Sequence, residues 1–506
     1  MKVAGRMRWL RALPWPLLAV LALGASLRFP YLSRESLWYD EAYSVYWAQR
    51  SLLGEPSDVN PPLYNALLHF WMRLFGTTEA AARSLSALFG MASLYLIYRV
   101  ATTLFDRKVG LIAAFLSSFS LFYIEYSLEA RSYSLLLMLS LLSYLYFIRI
   151  MQGGKKRSSL VFYVMSNTLL VYSHVFGLFI LVSQMVYLAL FRRRDISFHF
   201  VANAVTLALF LPWLSGLFSG DRLAAVAWLQ EPTFERLLFT LKAYLGNLNA
   251  VVATYAGKPE LVPFQGSLFY LFLLMSLLGL SSLVRLADSS PEADDARPPR
   301  TQGIVSWEKV PEVSLLLVWL VLPILLPFLI SRLFMPIYTL RYTIGASPAL
   351  YILVALGIRR WKREVVALSI SGLFLFLSFP ALNYYHTHPH KEQWRETALL
   401  LEKNAKEGDA VVVNCDGPAY LPPLEYYYRG GIEPALLRAM DWKPEKVGPF
   451  LERVSQDKER LWLVSSYGQG SPVIRDILKK RYRLIQTKEF SGISVDLFYL
   501  ELEGMK

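Results

Sequence analysis

The sequence predicts an α-helical polytopic membrane protein of about 11 transmembrane helices, with a small extracytoplasmic α/β domain at its C-terminal end. Three observations predict that class. Apolar runs of roughly 20 residues, enough to cross about 30 Å of hydrocarbon, recur through the first 385 positions. Lys and Arg crowd into alternate connecting loops, and both patterns stop near residue 386. The 506 residues are 55% hydrophobic and only 18% charged, too apolar for a soluble chain of that length.

The runs lie at about 13–31, 80–104, 109–127, 132–150, 159–174, 176–191, 198–218, 264–284, 312–331, 343–358 and 365–384, with the division around Tyr172–Phe176 the least marked. Every second connection is basic: Lys2, Arg6, Arg8 and Arg11, then Arg99 with Arg107 and Lys108, "RIMQGGKKR" at 149–157, "RRR" at 192–194, loop 285–309 and "RRWKR" at 359–363. Loops of that kind stay cytoplasmic. The expectation is a multi-pass cell-membrane protein with a cytoplasmic N-terminus, and with loops 32–79 and 213–262 and segment 386–506 outside. The first run, with its basic start and the small residues of "LALGAS", also has the outline of a signal peptide; residue 36 onward is outside in either case.

Two domains follow. Residues 1–385 form the membrane domain, including the first external loop 32–79 and a cytoplasmic linker at 288–310, whose "SPEADDARPPRTQG" at 290–303 is acidic, Pro-rich and aperiodic. In 386–506, "KEQWRETALLLEKNAKEG" places Trp394, Ala398, Leu401 and Ala405 on one helical face, and "DAVVVN" reads as a short buried strand. Helices near 444–456 and 472–481 and strands at 460–466, near 482–490 and near 493–502 complete an α/β order.

The net charge of +13 does not indicate a nucleic-acid binder. Residues 386–506 carry 18 basic and 18 acidic side chains, so the whole excess lies in the short loops of the apolar part. That is the signature of membrane topology rather than of a phosphate-binding face. The single Cys415 leaves no disulfide framework and no Cys-built metal site. Neither G-x-G-x-x-G nor G-x-x-x-x-G-K occurs in the α/β segment, so nucleotide binding has no support there.

The chemistry-bearing stretch is "SLWYDEAYSVYWAQRSL" at 36–52, where Asp40 and Glu41 sit among aromatic residues. Its periodicity and that of the segment after "NPPLY" predict two helices lying in the outer interface, with Trp and Tyr at headgroup depth. Adjacent helical positions diverge by about 100°, so the two carboxylates cannot aim at one proton. If one acid performs chemistry, the other supports it; both could instead be helix-end acids facing water. The next external loop, "FYIEYSLEARSYSLL" at 122–136, adds Glu125, Glu129 and Arg131 at the same surface. Acids and an arginine gathered there suit a reaction between a lipid-borne anion and a hydroxyl, although a Glu129/Arg131 ion pair closing a tight loop accounts for them equally well.

With "LWYDEAYS" at 37–44, "NPPLYNALLHFWMRLFG" at 60–76, the stretch from 82 to 144 and "RYTIGASPAL" at 341–350, the chain resembles integral-membrane glycosyltransferases of the GT-C fold, specifically the bacterial protein O-mannosyltransferase-like group, over roughly residues 30–190. The resemblance implies transfer of a sugar from a polyprenyl-phosphate-linked donor to a glycan, lipid or protein acceptor, with membrane lipids as surroundings. It implies Asp40 as general base with Glu41 as its neighbour and Glu129 as second-loop acid. Arg341 with Tyr342, and further Arg131, Arg83 and His174, would bind the donor lipid phosphate. Asn60 stands where many relatives have His before the double proline, which weakens a metal site there and leaves a divalent cofactor open. A transporter or flippase for a lipid-linked glycan, and an O-antigen ligase-like enzyme, are the alternatives.

Overall fold

The computed structural model describes residues 14–54, 60–153, 157–217, 229–252, 261–281, 310–361, 363–414, 422–437, 444–466 and 472–500. Most of the linker expected at 288–310 lies outside them.

All eleven apolar runs contain helix, but not eleven helices of spanning length. The first ten helices are α1 (Trp15–Ser26), α2 (Tyr39–Arg50), α3 (Leu63–Phe75), α4 (Glu79–Leu104), α5 (Arg107–Ser118), α6 (Leu121–Ser127), α7 (Tyr133–Met151), α8 (Arg157–Ser173), α9 (Gly177–Phe191) and α10 (Ile196–Leu217). Six helices among the described residues are long and apolar enough to cross a membrane: Glu79–Leu104, Tyr133–Met151, Arg193–Leu214, Pro311–Leu333, Leu340–Arg359 and Glu364–Thr387. A seventh is the pair α5 and α6, bent by 64°. This corrects the count of about 11. Helices α8 and α9 and the Gln265–Leu280 helix have 17, 15 and 16 residues, and at 1.5 Å per residue they reach only about 22–26 Å.

The bend in the run expected at 109–127 has a local cause. Ser120 caps α6 by accepting from the Tyr123 N–H at 3.3 Å. Beside it, buried Arg28 donates to the Ser118 carbonyl at 2.8 Å and to Ser127 Oγ at 3.1 Å. A guanidinium takes up carbonyl and hydroxyl groups that a continuous helix would have used internally.

The two helices expected on the first external loop are α2 and α3. Between them and the helical bundle runs one continuous apolar core, from Leu32 to Tyr385. At the other end of the chain, five strands form a sheet in the order β2 (Ala435–Leu437), β1 (Ala410–Asn414), β3 (Arg460–Ser466), β5 (Ile493–Tyr499), β4 (Arg483–Phe490), parallel across the first three and antiparallel across the last three. Strand β1 is buried throughout because both sheet faces are covered: Val411 and Val413 pack with Trp394 and Trp462, while Ala410 and Val412 pack with Leu461 and Leu478. The three-residue β2 escaped sequence reading because it is too short to show an alternation.

Within the bundle, the Gln265–Leu280 and Ser347–Arg359 helices cross at backbone contact. A Cβ on Gly357 would sit 1.9 Å from the Met275 carbonyl oxygen, and one on Gly279 would sit 2.2 Å from that of Leu353. Close approach through small residues is how apolar helices gain packing inside lipid. Gly357→Ala should therefore lower stability by about 1–3 kcal/mol, read as a depressed unfolding midpoint of the detergent-solubilised protein; an unchanged midpoint would contradict the close crossing.

Candidate active site

Asp40 and Glu41 both lie in the first turn of α2, and as expected for neighbours on a helix they part company. Asp40 turns toward Arg341, with its Oδ2 3.2 Å from Arg341 Nη2; its side chain is 21% exposed against 6% for the arginine. Glu41 turns into the protein and is fully buried.

Glu41 is an anchor. Arg83 of α4 meets it through two parallel bonds, Nε to Oε1 at 2.7 Å and Nη2 to Oε2 at 2.6 Å. Glu41 Oε1 also accepts from the Ala130 N–H at 2.9 Å. Its carboxyl lies below the usual carboxylate range: burial opposes this, and the charges of Arg83 and Lys391 prevail. Arg83 in turn donates to the carbonyls of Leu32 and Glu35 through Nη1 and of Ser36 through Nη2. Its five N–H groups are thus all engaged within the protein. Arg83, expected at the donor phosphate, thus has no N–H left over in this arrangement, and Glu41, expected beside the catalytic acid, is enclosed by its own partners.

The remaining expected residues gather around Arg341, which lies in the short helical turn Leu340–Ala346. Its guanidinium carbon is 5.5 Å from the Trp38 ring, 5.6 Å from Tyr133 and 5.7 Å from Tyr342. The Tyr342 ring lies 4.6 Å from His174. Glu129, buried between α6 and α7, accepts from Trp38 Nε1 at 3.1 Å. Arg131 does not close an ion pair with Glu129 but donates to Ser44 Oγ at 2.9 Å. Glu129 Oε2, Tyr133 OH, His174 Nε2 and the Nε and Nη1 of Arg341 make no hydrogen bond among the described residues. Buried polar atoms are ordinarily satisfied, so such a cluster is equipped to receive a polar ligand. Burial raises the Glu129 carboxyl to about 8, with Glu125 and Glu41 acting in the same sense and Lys391 and Arg341 against it.

Sequence reading missed a second group, contributed by the junction after the last apolar helix. His390 lies 2.8 Å from Glu35 Oε1 through Nδ1 and 3.2 Å from Glu125 Oε2 through Nε2. Tyr385 donates to that same Glu125 oxygen at 2.6 Å. Lys391 Nζ reaches the Leu128 carbonyl at 3.0 Å and Glu41 Oε2 at 3.4 Å. Burial lowers the affinity of His390 for its proton, but the two carboxylates outweigh it and raise its pKa to about 9; His390 and Lys391 hold Glu35 down at about 2 against its own burial. The signal in the sequence was "HTHPHK" at 386–391, a run of His and Lys directly after an apolar span. Among the described residues no three His, Cys, Asp or Glu side chains form a metal-ligand set.

Residues 59–215 match the family described as dolichyl-phosphate-mannose-protein mannosyltransferase. No curated protein matches the chain significantly. Among solved structures, ArnT from Cupriavidus metallidurans bound to undecaprenyl phosphate superposes with a TM-score of 0.58 at 12% identity, covering 97% of this chain and 99% of that one. The Archaeoglobus fulgidus oligosaccharyltransferase in complex with Zn and sulfate gives 0.55 at 13% identity over 95% of this chain and 72% of that one. The archaeal oligosaccharyltransferase AglB from the same organism, with an inhibitory peptide and a dolichol-phosphate, gives 0.55 at 13% over 97% and 74%. At these identities the likeness is one of fold. That fold is the GT-C fold of integral-membrane glycosyltransferases. Within it, the chain resembles the protein O-mannosyltransferase-like group, as its own motifs imply and the family match supports.

Removing one partner of a buried pair leaves the other charge uncompensated, at a cost of about 3–5 kcal/mol. Glu41→Gln should therefore reduce the yield and melting temperature of folded protein, more than Asp40→Asn does. Equal melting temperatures for the two variants would show that the Glu41–Arg83 pair does not hold the site together.

Proposed function

We propose that the protein transfers a sugar from a polyprenyl-phosphate donor to a hydroxyl of a glycan, lipid or protein acceptor at the outer face of the cell membrane, with inversion at the anomeric carbon. One observation carries the reading. A partly open carboxylate, Asp40, faces a buried guanidinium, Arg341, that has unpartnered donors to spare. The family match over 59–215 is to proteins named for a dolichyl-phosphate sugar donor, and the similar ArnT structure is bound to undecaprenyl phosphate; both support the donor class. The basic alternate loops support a cytoplasmic N-terminus and an external site.

Asp40 takes the proton of the acceptor hydroxyl as its oxygen bonds to the anomeric carbon. The bond from that carbon to the phosphate oxygen breaks, and the charge left on the polyprenyl phosphate is met by Arg341, whose planar donors suit phosphate oxygens. His174 and Tyr133 line the same cluster with polar atoms unused by the protein. Glu129, kept protonated at neutral pH, offers a hydrogen bond without adding negative charge beside the anionic donor. Residues 386–506 form the extracytoplasmic domain and 1–385 the membrane domain that carries transfer.

The test separates the two halves of this reaction. Asp40→Asn should cut release of polyprenyl phosphate by roughly 100- to 10,000-fold, the range for loss of a general base, while binding of undecaprenyl phosphate persists. Arg341→Ala should weaken that binding first. Near-wild-type release by purified, folded Asp40→Asn would remove Asp40 from the reaction.

A pH dependence follows from Glu129. A carboxyl needed in its neutral form works below its pKa, so kcat/KM should decline as pH rises through about 8. Glu129→Gln, neutral at every pH, should retain activity and lose that alkaline limb. Persistence of an identical limb in Glu129→Gln would assign it to another group.

A further inference from the structure

The junction between the last apolar helix and the C-terminal domain reaches into the site through Lys391. Lys391 is 3% exposed although it carries a charge, and its Nζ donates to the carbonyl of Leu128 at 3.0 Å. Leu128 immediately precedes Glu129. The residue immediately following, Ala130, gives its N–H to Glu41 Oε1, and Glu41 is held by both Arg83 and Lys391. The peptide groups on both sides of Glu129 are therefore gripped, one by Lys391 directly and the other by the carboxylate that Lys391 shares with Arg83.

Lys391 is itself fixed to two parts of the molecule. Its backbone N–H donates to Glu35 Oε2 at 2.8 Å, and Glu35 also engages the His390 ring. On the next residue, the Glu392 carbonyl accepts from Ser36 Oγ at 2.7 Å, while the Glu392 carboxylate accepts from Trp394 Nε1 and from Ser466 Oγ at the end of β3. The Gln393 N–H donates to the Ser491 carbonyl beside β5. The segment thus bridges the first external loop and the sheet.

We infer that Lys391 is a positioning residue: it sets the backbone on which Glu129 stands, and through it the seating of the C-terminal domain controls transfer at the membrane site. The inference rests on the glycosyltransferase reading. It assigns the C-terminal domain a role in holding the site, which acceptor recognition alone would not require. A backbone shift of about an ångström at Glu129 leaves the Asp40–Arg341 pair in place but misdirects a group that must meet the donor, so kcat is affected more than product binding.

The charged and titratable groups facing Glu129 include Lys391, Arg341, Glu125, Glu41, Tyr64, Tyr126 and Tyr133. Of these, Lys391 and, less strongly, Arg341 favour the ionised carboxylate. Its removal therefore moves the pH at which Glu129 ionises upward, a change that lost stability alone does not produce.

The experiment uses the full chain in lipid nanodiscs, with a total extract of native polyprenyl-linked sugars as donor and undecaprenyl phosphate as binding probe. Lys391→Met should lower kcat by about tenfold or more, keep the Kd for undecaprenyl phosphate within about twofold, accelerate amide exchange across 128–131 and shift the alkaline limb of kcat/KM to higher pH. Lys391→Arg, keeping charge and donors, should restore most of the rate. If Lys391→Met does not accumulate as folded protein, Lys391→Gln makes the same comparison. Wild-type exchange at 128–131 together with an unmoved alkaline limb would overturn the inference, as would a lowered melting temperature with unchanged kcat per folded molecule. Failure of the wild-type protein to release polyprenyl phosphate from any donor in the extract would instead overturn the glycosyltransferase reading, while the amide exchange still decides whether Lys391 holds the loop.

Discussion

The buried pair between Glu41 and Arg83 is the constraint on which the outer end of the bundle depends. Neither ion has access to water, so each needs the other, and neither can move far without exposing an unpaired charge in a low-dielectric interior. Arg83 stands on a long helix of spanning length and Glu41 on a short one. Their union fixes α2 against α4, while the three backbone carbonyls that Arg83 also binds pin the chain leading into α2. With Ala130 bonded to the same carboxylate, the segment 32–41 and the loop between α6 and α7 become one rigid unit.

That rigidity gives two adjacent acids opposite characters. Glu41 is ionised, buried and saturated with donors, and it has no capacity left for a substrate. Asp40, about 100° further round the helix, reaches the edge of the same structure and keeps partial contact with solvent. Glu129 is the third variation on a carboxyl: buried with one indole N–H for a partner, it is pushed up to about 8, whereas the equally buried Glu41 is drawn below the usual carboxylate range. The difference lies in the neighbours, since burial acts on both and only Glu41 has a guanidinium in direct contact.

The site is assembled from chain segments that are distant in sequence, at positions 38–41, 129–131, 174, 341 and 390–391, all meeting at one end of the helical bundle. The C-terminal domain belongs to that assembly. Beyond Lys391, Arg395 bonds to Glu79 at the start of α4 and to the carbonyls of Ser33 and Arg34, and the Tyr427 hydroxyl accepts from the Leu37 N–H at 2.6 Å. The domain is seated on the same loop that presents Asp40, so its placement and the geometry of the site are one problem of packing.

By itself the sequence determined the features set by local composition and period. Hydropathy placed every apolar run, and helical and strand periods outlined α2, α3 and four of the five strands, because burial against lipid or a sheet leaves a repeating mark on the chain. The motif carrying Asp40, Glu129 and Arg341 was legible for a similar reason, since charges beside aromatic, membrane-facing stretches are costly unless they are used. Tertiary structure alone decided how long each helix runs, where α5 breaks from α6, and which charges face one another. Arg83 looked like a free cation at the outer end of a span; only the folded chain brings Glu41 and three carbonyls to it. His390 and Lys391 carried no assigned role in the sequence; only the folded chain brings Glu35, Glu41 and Glu125 around them. Pairing between residues 350 positions apart, as between Lys391 and Glu41, leaves no periodic trace, because it depends on where whole helices pack and not on the spacing of neighbours along one of them.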